Sequence, residues 1–154
     1  MKFKNDICYL AGLVRMPKKA KIEIKNNNEE ITAKFINIAI NNGIDPKKII
    51  VEDNKVYFYN YRLANKIKRF LKNKRVMLSK PSPCSIAYFA GLFDSLGKDD
   101  ISFSSLDTID KIGLSNLNIH LADSRIINKK FFLTIILSDS IKAKEISKKL
   151  NLKI

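Results

Sequence analysis

The spacing of apolar residues changes several times along the first half of this chain, and each change marks an element. Ile7-Cys8-Tyr9-Leu10-Ala11-Gly12-Leu13-Val14 reads as an apolar helix. Ala20-Lys21-Ile22-Glu23-Ile24-Lys25 then alternates apolar and polar side chains, the period of a half-buried strand. From Glu29 to Asn42 the spacing of Ile31, Phe35, Ile38 and Ala39 predicts a second helix, with Gly43 as its C-terminal stop. Asp45-Pro46 turns the chain into Ile49-Ile50-Val51, and Asp53-Asn54 turns it again into Val56-Tyr57-Phe58-Tyr59, which predicts a hairpin. Arg62 to Asn73 closes the unit as a helix that buries Leu63, Ile67, Phe70 and Leu71.

Pro81 and Pro83 cannot continue that helix, so they divide the chain into a first half (1–78), a linker (79–83) and a second half (84–154). The second half reads as a helix from Cys84 to Leu96, a strand from Ile101 to Ser104, a strand from Phe131 to Leu137 and a helix from Ser140 to Leu150. The pattern assigns nothing to residues 105–128.

The halves share a repeat. Ile7-Cys8-Tyr9-Leu10-Ala11-Gly12-Leu13-Val14 recurs 79 positions later as Ile86-Ala87-Tyr88-Phe89-Ala90-Gly91-Leu92-Phe93, with Ile, Tyr, Ala, Gly and Leu identical. In each copy small residues stand four apart, Cys8 with Gly12 and Ala87 with Gly91, and so share one helical face. Two shallow stripes of this kind predict that the two helices pack on each other as a seam. Cys8, Ala11, Gly12, Ala87, Ala90 and Gly91 are its expected residues.

Composition places the chain among globular proteins. It has 154 residues, 45% hydrophobic and 29% charged, enough for one compact unit of two related halves. No run approaches the roughly 20 apolar residues that span a bilayer, and the first residues lack the apolar core of a secretory signal, so a cytoplasmic location is expected. With Cys8, Cys84 and His120 as the only cysteines and histidine, a four-ligand structural zinc site within one chain is implausible and a histidine-based nucleophile motif has nothing to build on. The cysteines are expected to be small buried hydrophobes.

The net charge of +14 points to a polyanionic partner, with nucleic acid ahead of membrane headgroups. It is uneven: residues 1–80 carry 19 Lys and Arg against 7 Asp and Glu, residues 81–154 carry 10 against 8. An abundance of Lys, Asn and Ile throughout is also what a codon bias toward A and T produces.

Leu10-Ala11-Gly12-Leu13-Val14 and Phe89-Ala90-Gly91-Leu92-Phe93-Asp94 resemble the two motif copies of a single-chain LAGLIDADG homing endonuclease. The resemblance implies an α+β fold of two pseudo-symmetric halves derived from an αββαββα unit, each abbreviated here and packed through the motif helices. The first copy departs from that plan, with one strand in place of two between motif helix and next helix. The resemblance also implies a basic saddle of strands over nucleic acid.

In this family an acidic residue five positions after the motif glycine holds the divalent metal beside the scissile phosphate. Hard Mg²⁺ takes oxygen ligands and activates a bound water. Those positions are Pro17 and Leu96 here, and neither can ligate a metal. Asp94 occupies the earlier acidic position, where the first copy has Arg15, but it lies about 200° around the helix from residue 96. Asp99 and Asp100 are the other displaced acids, or simply solvated turn residues.

The expected function is therefore non-catalytic binding of duplex DNA or structured RNA by a monomer, with no cofactor. The alternative is a residual endonuclease that uses Mg²⁺ with Asp94, Asp99 or Asp100. Lys19, Lys21, Lys25, Lys47, Lys55, Lys66, Arg69 and Lys72 are the candidate binding residues, on strands around Ala20–Lys25, Lys47–Glu52 and Lys55–Tyr59 and on the basic helix. Glu23 interrupts the first positive row. The densest cluster, Lys66, Lys68, Arg69, Lys72, Lys74 and Arg75, suits phosphate contact or a solvated face equally. Tyr57, Phe58, Tyr59 and Tyr61 suit stacking on unpaired bases where they are exposed, and alternation assigns half of them to the core.

Overall fold

The structure is a computed structural model that describes residues 2–14, 16–25, 28–95 and 106–116. Within these it is a mixed α+β fold of six helices and one antiparallel sheet. The chain runs through α1 (Asn5–Val14), β1 (Lys21–Lys25), α2 (Glu29–Asn41), a 3-10 turn (Pro46–Lys48), β2 (Ile50–Glu52), β3 (Lys55–Tyr59), α3 (Tyr61–Lys72), the short α4 (Lys74–Met77), α5 (Pro83–Ser95) and α6 (Thr108–Asn116).

Local chemistry explains most of the boundaries. Asn28 caps α2 by accepting from the amides of Glu30 and Ile31, and Asn60 caps α3 by accepting from Leu63. Gly43 leaves α2 with a φ of 91°, a left-handed turn that glycine makes without steric cost. Before α5, the Ser82 hydroxyl accepts from the Ser85 amide while Ser85 Oγ accepts from the Ser82 amide. Pro83 thus opens that helix, since a first-turn proline has no helical donor to lose.

The sheet order is β1-β3-β2, with Lys21 opposite Tyr59 and Ile50 opposite Tyr57. Ile22, Ile24, Val56 and Phe58 face the core, where the Phe58 ring stacks on Phe35 of α2 at 5.6 Å. α2 buries the expected Ile31, Phe35, Ile38 and Ala39, and α3 buries Leu63, Ile67 and Phe70, with Leu71 half-buried against them. One strand separates α1 from α2 among the described residues.

The centre of the fold is the seam of α1 against α5. A β-carbon on Gly12 would lie 2.1 Å from the Tyr88 carbonyl oxygen and 2.6 Å from the Leu92 nitrogen. One on Gly91 would lie 2.0 Å from the Tyr9 oxygen and 3.0 Å from the Leu13 nitrogen. The contacts are reciprocal: Tyr9, Gly12 and Leu13 are the repeat partners of Tyr88, Gly91 and Leu92. Cys8, Ala11, Ala87 and Ala90 are buried beside them, so each expected seam residue lies in or next to the contact.

Several expectations are corrected. Cys8 and Cys84 are not independent hydrophobes: they form a disulfide across the seam, with Cα atoms 5.5 Å apart. The small residue at position 8 brings the helices close enough for the cysteine one turn before Ala87 to bond it. Lys47 is on the 3-10 turn and not on a strand, because Asp45 accepts from its amide and curls the chain first. The unassigned stretch contains α6, and a short α4 follows α3. The strands expected at Ile101–Ser104 and Phe131–Leu137 and the helix at Ser140–Leu150 lie outside the described residues, as do Arg15, Leu96, Asp99 and Asp100.

Candidate nucleic-acid interface

The outward face of the sheet is built by strand parity. Odd-numbered positions of β1 and β3 point away from the core, which collects Lys21, Glu23, Lys25, Lys55, Tyr57 and Tyr59 on one surface. Ile50 and Glu52 join them from β2, opposite Tyr57 and Lys55.

Within that face much of the charge is already paired. Lys21 Nζ lies 3.1 Å from Glu23 Oε2 and 4.5 Å from the centre of the Tyr57 ring. The contact with Lys21 holds the Glu23 carboxyl below its ordinary pKa, and Glu23 raises that of Lys21. Tyr57 donates its phenol to Glu52 Oε1 at 2.9 Å, a bond to the neutral form that raises the pKa of the ring hydroxyl. Lys25 and Lys55 face each other at one end of the strands, both exposed.

At the other end, the turn before β1 bears Lys18 and Lys19, with Lys19 in a left-handed conformation (φ 56°). Lys68 of α3 donates to the Lys19 carbonyl at 2.7 Å, and Asn60 donates its amide to Ala20. This clasp places Lys68 of α3 beside the turn. Arg62, Arg69 and Lys72 of α3 are exposed and Lys66 is half-buried, while α3 itself contains no acidic residue.

Not every residue of the basic run faces solvent. Lys74 is buried and pairs with Asp107 and Asp110 of the α6 region, while Tyr88 donates to Asp110. This cluster ties α4 and α5 to α6, and Lys74 leaves the set available to phosphates. Its partners come from a stretch in which the pattern assigned no element, so polarity alone had put Lys74 on the surface. The outward tyrosines were legible through parity, because residues 57 and 59 share the phase of Lys55.

The C-terminal end of α1 opens into a pocket of about 220 Å³ lined by Val14, Met16, Pro17, Lys18, Lys21 and Glu23. Pro17 is buried there and its side chain offers no ligand atom, and the Glu23 carboxylate is held by Lys21. Asp94 is fully buried and accepts the Tyr9 hydroxyl at 2.6 Å, so it does not project toward a solvent-borne metal. These groups do not fit a divalent cation. A groove of about 500 Å³ between α2 and the hairpin is edged by Glu29, Glu52 and Asp53, with Lys55 among its lining residues.

Comparison with protein-family models, with curated proteins and with solved structures finds no match for this chain. No helix among the described residues is long and apolar enough to cross a membrane. The disulfide weighs against the expected cytoplasmic location, because cytosolic reductants keep most thiols free.

Proposed function

We propose that this chain is a non-catalytic nucleic-acid-binding protein built on a degenerate LAGLIDADG-type scaffold, with two pseudo-symmetric halves meeting at the α1–α5 seam. The observation that carries the reading is the reciprocal glycine contact of Gly12 and Gly91, combined with Pro17 buried where the motif of such an enzyme places a metal-binding acid. The seam is the feature such a scaffold needs, and the missing carboxylate is the feature cleavage needs.

Binding is assigned to Lys19, Lys25 and Lys55 around the sheet and to Lys66, Arg69 and Lys72 of α3. Structured RNA and duplex DNA are the ligand classes. Each phosphate neutralised by Lys or Arg releases condensed counterions, so affinity must fall steeply with salt.

The test is fluorescence anisotropy with labelled duplex DNA and hairpin RNA across a salt series, beside a plasmid-nicking assay in Mg²⁺ or Mn²⁺. Salt-sensitive binding without nicking supports the reading. Metal-dependent nicking that disappears when Asp94, Asp99 or Asp100 is changed overturns it in favour of a residual endonuclease.

A further inference from the structure

We infer that Tyr59, braced by Tyr57, forms a stacking platform for an unpaired base, so that the ligand is a single-stranded segment or an open loop and not a continuous duplex. This rests on the nucleic-acid reading above and narrows it.

The two rings meet edge to face with centroids 6.0 Å apart and planes at 88°. Tyr57 is held on two sides, by its bond to Glu52 and by the Lys21 ammonium over its ring. It therefore braces Tyr59, which is 60% exposed at the end of the central strand β3, opposite Lys21. A large ring left this open on a fixed support has little freedom left to lose on binding, which favours a flat, apolar-faced ligand.

The face also presents Lys, Glu and Ile50 around the rings. Lys21 pairs with Glu23 along β1, and Glu52 stands opposite Lys55 on the same face. Lys25 and Lys55 stand at one end, and Lys18 and Lys19 at the other. An open Tyr59 ring at the same end of the sheet as Lys18 and Lys19 matches a strand whose base lies on the ring and whose flanking phosphate reaches these lysines.

The test uses the full chain and four probes: an unstructured single strand as RNA and as DNA, the matching duplex, and heparin as a polyanion without bases. Wild-type protein is expected to bind a single strand more tightly than the duplex and to resist heparin competition better when bound to it. Tyr59→Ala should weaken single-strand binding about tenfold, by loss of one stacked base. Tyr59→Phe should keep affinity within about twofold, because the ring remains, and neither change should move duplex binding. Tyr59 is exposed, so circular dichroism of both variants should match wild type. If Tyr59→Ala leaves single-strand affinity unchanged, or lowers single-strand and duplex affinity alike, the platform is wrong while nucleic-acid binding stands. If no oligonucleotide binds, the broader reading fails and takes this one with it.

Discussion

Tyr9 donates its hydroxyl to Asp94 across the seam at 2.6 Å, linking α1 to α5. The repeat partner of Tyr9 is Tyr88, and the repeat partner of Asp94 is Arg15, which cannot accept a hydrogen bond. Tyr88 donates to Asp110 of α6 in its place. The departure from repeat symmetry at position 15 is thus matched by a new acceptor from a different helix.

Removing the phenol should be felt in stability. Tyr9→Phe deprives the buried Asp94 carboxylate of this donor and should cost about 1–3 kcal/mol in urea unfolding. Tyr59→Phe, at an exposed ring, should leave the midpoint where it was.

The glycines at the seam are tighter constraints. Alanine at Gly12 or Gly91 would place its β-carbon within about 2 Å of a facing backbone oxygen, and backbone cannot swing aside as a side chain can. Each change should cost about 3 kcal/mol or more, seen as insoluble expression or a large drop in melting temperature. Gly43→Ala meets no atom within 4 Å and should cost about 1 kcal/mol, through its positive φ alone.

Reduction of Cys8–Cys84 should destabilise the protein without dismantling the seam. The bond joins residues 76 apart, and opening it restores chain entropy to the unfolded state worth about 2–4 kcal/mol. Dithiothreitol should lower the melting temperature, and Cys8→Ala with Cys84→Ala should reproduce that value and abolish the response to reductant.

Lys74 and Lys72 should behave differently although they are neighbours in one basic run. Lys74→Ala withdraws the cation from buried Asp110 and should cost about 3–5 kcal/mol, whereas Lys72→Ala at an exposed position should lie within about 0.5 kcal/mol of wild type. Binding should show the reverse: Lys66→Glu with Lys72→Glu should flatten the salt dependence, and Lys148→Glu with Lys149→Glu should change it less.

The Lys21–Glu23 pair sets a pH response of definite sign. The folded-state pKa of Glu23 is depressed, so its contribution is present above the ordinary glutamate value of 4.5 and is lost as pH falls through the lower folded value. Urea midpoints from pH 6 to pH 3 should therefore decline less steeply in Glu23→Gln than in wild type.

The helices and strands of residues 5–72 were legible because each announces itself within a dozen residues, through alternation on β1 or the spacing of Ile31, Phe35, Ile38 and Ala39 on α2. The seam was legible because the glycine stripe occurs twice. What escaped was long-range and carried by side chains. The acceptor of Tyr88 lies on α6, whose short apolar pattern gave no period to follow, and the burial of Lys74 depends on the same helix. The cysteine pairing was within reach, since both cysteines stand on the two helices expected to touch, yet the repeat aligns Cys8 with Ala87 and draws the eye from Cys84.

The Cys8–Cys84 bond has a topological result as well as an energetic one. Together with the peptide backbone it makes residues 8–84 a covalent ring, and the sheet, the Lys19 turn and all of α3 are carried on it. A single protease cut anywhere in that ring leaves one molecule when the bond is oxidised and two fragments when it is reduced. The sheet surface can therefore survive a nick that would detach it from α5 in a reducing compartment.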